Sequence, residues 1–303
     1  MRLLLLALAI ACLSQPANLI RWAAAPIEAI GFWRMLIAAL ALSPAAWSAR
    51  GAWRGVSVCD RRLTVMAGLL FFTHLWTFVY AAQHTTIANT MIAFSTHPLW
   101  TGAGAWFLFG ERFGARLGAA YLLAAAGVWI LVSGSLAFDP QRLPGDLAAL
   151  LSAALFSGYA LCGRRLRRVL PNAPFAAAVF WVVAACFFLT GELRGVAWTG
   201  YAWQSWAAFF ALAVVVTLGG HALFTYLLGT MSVTVLSFAK LLEPIGAALG
   251  AWAAFGEPVT RRTVIAMGFI AGGVLVLVLG KRTEGYGLTT DPLDKGDGNG
   301  TKV

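Results

Sequence analysis

Six ionisable side chains stand inside long apolar runs: Arg34, His74, His97, His221, Lys240 and Glu243. A charge at membrane depth costs ~2.5–3.5 kcal/mol on insertion scales, so each needs a partner or a watery cavity. Lys240 and Glu243 are three residues apart, which puts them on one face of a helix. Two readings are open. The pair can neutralise itself, or it can hold a zwitterion, with Glu243 towards an ammonium and Lys240 towards a carboxylate. Arg34 either snorkels to the membrane interface or anchors a carboxylate. His97 directly precedes Pro98, as Glu243 directly precedes Pro244. Histidine changes charge near neutral pH, so His97 with Glu243 is a candidate for proton coupling. A hydrogen-bonded packing histidine is the competing reading.

Around these groups lie the candidates for lining a binding site: Trp76, Tyr80, Asn89, Trp100, Tyr159 and Tyr226, with Trp33 and Trp181 on neighbouring runs. An apolar pocket with few polar groups suits a partly aromatic solute. Many of the 39 aromatic residues must instead form interface belts, as expected for Trp47, Trp53 and Trp203. Pro98 and Pro244 each remove a backbone hydrogen bond and kink their helices. The carbonyls so freed, near Phe94 and Lys240, can face substrate or water. There is no H-E-x-x-H, G-x-S-x-G or Walker loop, so no enzyme is expected and no cofactor or ATP drives the protein. An intramembrane enzyme is the remote alternative, with His74, His97 and His221 as conceivable metal ligands.

The elements that position these residues follow from composition. Of 303 residues, 60% are hydrophobic and 11% charged, with a mean hydropathy of +0.78. A soluble domain carries about 25% charged residues; lipid must be the solvent here. The net charge of +10 sits in short clusters between apolar runs, which is a topology signal and excludes a nucleic-acid partner. The four cysteines show no C-x-x-C spacing and read as free thiols.

A helix needs about 20 residues to cross the hydrocarbon. Ten runs meet or approach this: Leu3–Ile20, Ile27–Trp47, Leu63–Ala82, Thr86–Phe109, Leu117–Ser133, Asp146–Cys162, Phe175–Thr190, Trp203–Leu228, Val233–Phe255 and Thr263–Leu279. The first run is read as a retained helix, not a signal peptide, because it lacks a clear small-x-small cleavage site. Lys and Arg favour both termini in the cytoplasm. The tail 281–303 is polar and expected to be disordered.

A shift of 146 residues brings Phe78–Gly134 onto Phe224–Gly280 without gaps, with 18 of 57 positions identical. Pro98 meets Pro244, Gly104-Ala105-Trp106 meets Gly250-Ala251-Trp252, and Phe109-Gly110-Glu111 meets Phe255-Gly256-Glu257. Glu111 and Glu257 fall at helix junctions and suit capping of the helix that follows. The chain therefore divides into a first five-helix repeat, 1–134, and a second, 145–280. Five is odd, so the second repeat is inverted in the membrane. Such symmetry suits alternating access around a central site. The expected fold is an all-α integral membrane protein of ten transmembrane helices, two inverted five-helix repeats around a central cavity.

These paired segments resemble the EamA repeat of the drug/metabolite transporter superfamily. The matching features are a mid-helix proline, a Gly/Ala-rich stretch, Phe-Gly-Glu, and a helix closing around Gly127-Val128 and Gly273-Val274. Phe32-Trp33-Arg34 matches the family's aromatic-x-Arg, and Gly145-Asp146 its Gly-Asp. The first helix departs from the pattern, with Leu13-Ser14-Gln15-Pro16 where an aromatic-Gly is common. The resemblance implies ten helices, a bacterial-type inner membrane and export of small metabolites by a secondary transporter. Within the family the chain looks most like the YddG-type exporters of aromatic amino acids. Amino acids, aromatic and other neutral ones, are thus the expected small-molecule partners, in a unit that can work as a monomer. The alternative is a carrier of the same superfamily for a drug or organic cation, a nucleotide sugar or an organophosphate. Phosphate carriers need several cavity cations, and here Glu243 opposes Arg34 and Lys240.

Overall fold

The apolar runs form helices in the computed structural model, which describes residues 2–85, 87–110, 114–135, 141, 143–256 and 261–280. The chain is all-helical among these residues. The elements are α1 (Arg2–Leu13), α2 (Pro16–Ala23), α3 (Ile27–Ser48), α4 (Val58–His84), α5 (Ile87–Phe94), α6 (His97–Phe109), α7 (Ala115–Ser135), α8 (Leu143–Leu166) and α9 (Asn172–Leu193). The next rod is α10 (Trp203–Ala211), a π-helical stretch Leu212–Ala222, then α11 (Leu223–Leu228). Last come α12 (Val233–Ala239), a 3-10 turn at Lys240–Leu242, α13 (Glu243–Phe255) and α14 (Arg261–Gly280). Six helical segments are long and apolar enough to cross a membrane: Arg2–Ala23, Ile27–Ser48, Val58–His84, Leu143–Leu166, Asn172–Leu193 and Trp203–Leu228.

Local sequence explains the breaks. Pro16 occupies the first turn of α2 and stops α1 from running through. Pro98 and Pro244 likewise stand in the first turns of α6 and α13. The runs Thr86–Phe109 and Val233–Phe255 are therefore broken rods, each split just before its proline. Both second halves end on a left-handed glycine, Gly110 at φ 65° and Gly256 at φ 66°, a backbone angle that favours residues without Cβ. The bounds of α6 and α13 differ by the same 146 residues as the sequence shift. Ser57 caps α4 by accepting from the Asp60 N–H at 3.1 Å.

Packing follows an ordered pattern. α3 lies against α9, and α7 against α14. α4 lies against α8, while α1 and α2 lie against the rod from Trp203 to Leu228. Small residues allow the closest approaches: a Cβ on Gly220 would come within 2.7 Å of the Leu13 side chain. The hydrophobic core runs through the faces of α3, α4, α8, α9 and the π-helical rod that meet at Phe71, Phe156, Phe180 and Phe209. Glu111, Glu257 and the tail 281–303 lie outside the described residues.

Candidate functional site

The two broken rods and the π-helical stretch bring polar groups into this core. The 3-10 turn places Lys240 one turn before Glu243, and the two buried side chains form an ion pair with each other. Three phenylalanine faces surround the ammonium. Lys240 Nζ lies 4.7 Å from the Phe156 ring centre, 5.4 Å from Phe224 and 5.7 Å from Phe94. Ring faces carry negative partial charge and favour a cation at such distances.

His97 shares these rings, stacked on Phe94 at 5.0 Å and edge-on to Phe156 at 5.5 Å. Its Nδ1 is 3.0 Å from the Phe94 carbonyl, a contact satisfied by the Nδ1–H tautomer. The histidine thus covers the carbonyl that the break at Pro98 exposes. Its own carbonyl accepts from Ser157 Oγ at 2.8 Å and from Thr101 Oγ1 at 2.9 Å.

His74 and His221 lie deeper, with ring centres 6.4 Å apart. His74 Nδ1 is held by Ser152, 3.1 Å from its carbonyl and 2.8 Å from its hydroxyl. Phe71 joins the layer: its ring is 4.5 Å from Tyr159 and 4.8 Å from His221. Arg34 enters from α3 and is 1% exposed. Its Nε donates to Thr217 Oγ1 at 2.7 Å, and that hydroxyl donates to the Leu212 carbonyl at 3.0 Å, five residues back. A bond spanning five residues fits the π-helical winding. Phe156 joins the two groups: its ring centre lies 5.1 Å from His74, 6.2 Å from His221 and 4.7 Å from Lys240 Nζ.

The remaining sequence candidates fall elsewhere. Tyr159 is buried in the cluster. Trp76 and Tyr80 stack at 5.7 Å towards the end of α4, and Tyr80 stacks on His84 at 3.9 Å. Trp100 is 53% exposed and Tyr226 38% exposed, so neither side chain points into the cluster. Trp181 is also exposed and donates to Ser43 Oγ at 3.1 Å. The side chain of Asn89 lies outside the described residues.

Two layers flank the cluster. At the end where α3 begins, buried Glu28 accepts from Trp76 Nε1 and from Arg194, both at 3.2 Å. Trp33 Nε1 donates to the Trp198 carbonyl at 2.9 Å. In the loop beside them, burial and the nearby Glu28 carboxylate raise the Tyr201 phenol above its ordinary pKa. At the other end Arg164 donates to the Met231 carbonyl at 2.5 Å, and Arg165 pairs with Asp60 at 3.1 Å. Arg167, just past α8, donates to the Thr225 carbonyl at 3.0 Å, and burial lowers its pKa.

Phe71, Phe156, Ser152 and Thr217 are site residues that the sequence reading passed over. A signal existed for some. Phe71-His74-Phe78 and Ser152-Phe156-Tyr159 recur at one-turn spacings that align a single helix face. The π-helical stretch has no such signature.

The geometry defines a multi-pass membrane protein with an ionisable, aromatic-lined centre built from broken helices. The sequence matches the EamA-like transporter family over residues 2–133 and 143–279, and the chain belongs to that family. It is 26% identical over 275 residues to the uncharacterized transporter YwfM of Bacillus subtilis (strain 168), covering 84% of this chain and 86% of the relative. A solved structure, described only as the crystal structure of a protein, superposes with a TM-score of 0.75 at 22% identity. That likeness covers 93% of this chain and 98% of the other, and concerns the fold.

Proposed function

We propose that the protein is a secondary transporter of the inner membrane that exports amino acids, aromatic and other neutral ones, by alternating access. In this reading the ten rods all cross the membrane as two inverted five-helix units, with both termini cytoplasmic. The paired packing supports it: α4 with α8 is matched by the rod Trp203–Leu228 with α1 and α2, while α3 meets α9 and α7 meets α14. The equal offsets of α6 and α13, and of the starts of α5 and α12, add to this.

The observation that carries the reading is the buried Lys240–Glu243 pair among Phe94, Phe156 and Phe224, set at a helix break. Charges of both signs and aromatic faces fit a zwitterion with an apolar side chain. Helix breaks at membrane depth are tolerated where they line such a site. A carrier for organic cations is the second reading, because the three rings already hold one cation.

Purified protein in liposomes is expected to take up labelled tryptophan, phenylalanine and threonine down their gradients. If none of them moves in tight vesicles while an organic cation does, the second reading replaces the first.

A further inference from the structure

The Lys240 ammonium is already engaged by Glu243, which leaves the question of what meets the other buried cation. A guanidinium has five N–H donors and no acceptor. Arg34 uses Nε on Thr217, but its buried Nη2 has no hydrogen-bond partner. Among the described carboxylates, Glu28, Asp60 and Glu243 pair with Arg194, Arg165 and Lys240, while Asp146 accepts from Thr85 Oγ1 and Glu192 from Trp198 Nε1. A buried guanidinium whose charge is not matched by a carboxylate is costly unless something of opposite charge completes it.

Two more buried polar atoms of the aromatic core also lack partners. One is the Tyr159 hydroxyl and the other is His221 Nδ1. Tyr159 and His221 flank the same ring, Phe71, at 4.5 and 4.8 Å. His221 follows Thr217 by four residues on the π-helical stretch, so the residue that holds Arg34 and the residue with the open nitrogen are neighbours on one element. Three incomplete donors or donor-acceptors from α3, α8 and the π-helical stretch are thus linked through Thr217 and the Phe71 ring.

We infer that Arg34, with Tyr159 and His221, forms a carboxylate-binding subsite, separate from the Lys240–Glu243 pair. A carboxylate offers about four lone-pair directions, enough to accept from the guanidinium, the phenol and an imidazole N–H. This rests on the carrier reading and sharpens it. The transported solute bears an anionic group that docks at Arg34. Its apolar part lies against Phe71 and Phe156. Lys240 then acts as the counter-charge of Glu243 and not as the carboxylate anchor. An organic cation without a carboxylate leaves the Arg34 end unmet.

The test is binding of matched ligands to the detergent-purified full chain by calorimetry. Tryptophan is expected to bind about tenfold or more tightly than tryptophanamide, which keeps the ammonium but replaces the carboxylate with a neutral amide. Indole-3-acetate, with a carboxylate and no ammonium, is expected to bind better than indole-3-acetamide. Arg34→Gln is expected to abolish both preferences. The wild-type acid-to-amide ratios need no variant, so misfolding of Arg34→Gln does not blunt the experiment. Equal affinity for acid and amide, or no carboxylate-dependent binding of either probe, overturns the inference. The amino-acid reading is judged apart, by flux. Carboxylate binding through Arg34 without amino-acid transport sinks that reading and keeps the subsite; tryptophan flux with equal acid and amide affinity does the reverse.

Discussion

Glu243 is the acid on which the proposed recognition of an ammonium depends, and it pairs with its neighbour Lys240. A hydrogen bond to a charged group contributes about 1.5–3 kcal/mol, or roughly tenfold and upward in affinity. Glu243→Gln is therefore expected to lower amino-acid flux by about tenfold or more while folded protein is still recovered. The amide keeps the shape and can still accept from Lys240. Flux equal to wild type, measured at matched protein density in liposomes, would leave the ion pair with a purely structural role. At this scale the sequence was partly legible. Lys240, Glu243, His97, Arg34 and Tyr159 stand out because charge and hydroxyl groups are rare in apolar runs, and all five lie in the central cluster. Trp100 and Tyr226 stand out for the same kind of reason, yet point outward. An aromatic ring is as suited to lipid as to a core, so its type says nothing of which face of the helix it occupies.

The elements explain one of those outward turns. Trp100 and Gly246 are equivalent under the 146-residue shift, and Gly246 meets the broken first rod while Trp100 is exposed. A Cβ on Gly246 would come within 2.4 Å of Ser14 Oγ, and one on Gly250 within 2.2 Å of Gln15 Oε1. Gln15 Nε2 donates to the Gly246 carbonyl at 2.9 Å, and Asn18 Nδ2 to the Ala247 carbonyl at 3.1 Å. The Leu13-Ser14-Gln15-Pro16 segment, where the chain departs from its family, is thus a docking point for α13. Gly246→Leu is expected to destabilise the protein by about 1–3 kcal/mol through overpacking. Trp100→Ala, on an exposed face, is expected to stay within about 0.5 kcal/mol of wild type. Thermal unfolding of both variants in detergent checks the contrast, and equal melting temperatures would contradict it. Kinks at Pro98 and Pro244 were legible because proline acts locally; the break at Pro16 falls inside the run Leu3–Ile20, which the sequence reading took as one helix. The π-helical winding of Leu212–Ala222 was not, since it depends on tertiary partners: Leu13 and Cys12 against Gly220 and Gly219, and Arg34 on Thr217.

At the scale of the whole molecule, Gly145-Asp146 ties the start of α8 to the end of α4. Thr85 Oγ1 donates to Asp146 Oδ1 at 2.8 Å, and a Cβ on Gly145 would come within 3.0 Å of the His84 backbone. The opposite end carries Asp60, Arg165 and the exposed Cys59. The proposed orientation puts that end in the cytoplasm. A membrane-impermeant maleimide is therefore expected to label Cys59 in inside-out vesicles and not in intact cells. Labelling in intact cells would reverse the orientation. The periodic placement of apolar runs and the 146-residue shift made the general architecture legible, because both are properties of the chain read in one dimension. Which rods touch is a three-dimensional result.

Thr217 presents one hydroxyl to two masters. Its oxygen accepts from the guanidinium of Arg34, and its proton goes to the Leu212 carbonyl inside the π-helical turn. Recognition chemistry and the winding of a helix therefore share a single atom. Anything that draws Arg34 away from this oxygen also unloads a contact of the turn, and rewinding the turn moves the atom on which Arg34 rests. The two events are geared together without any hinge between them.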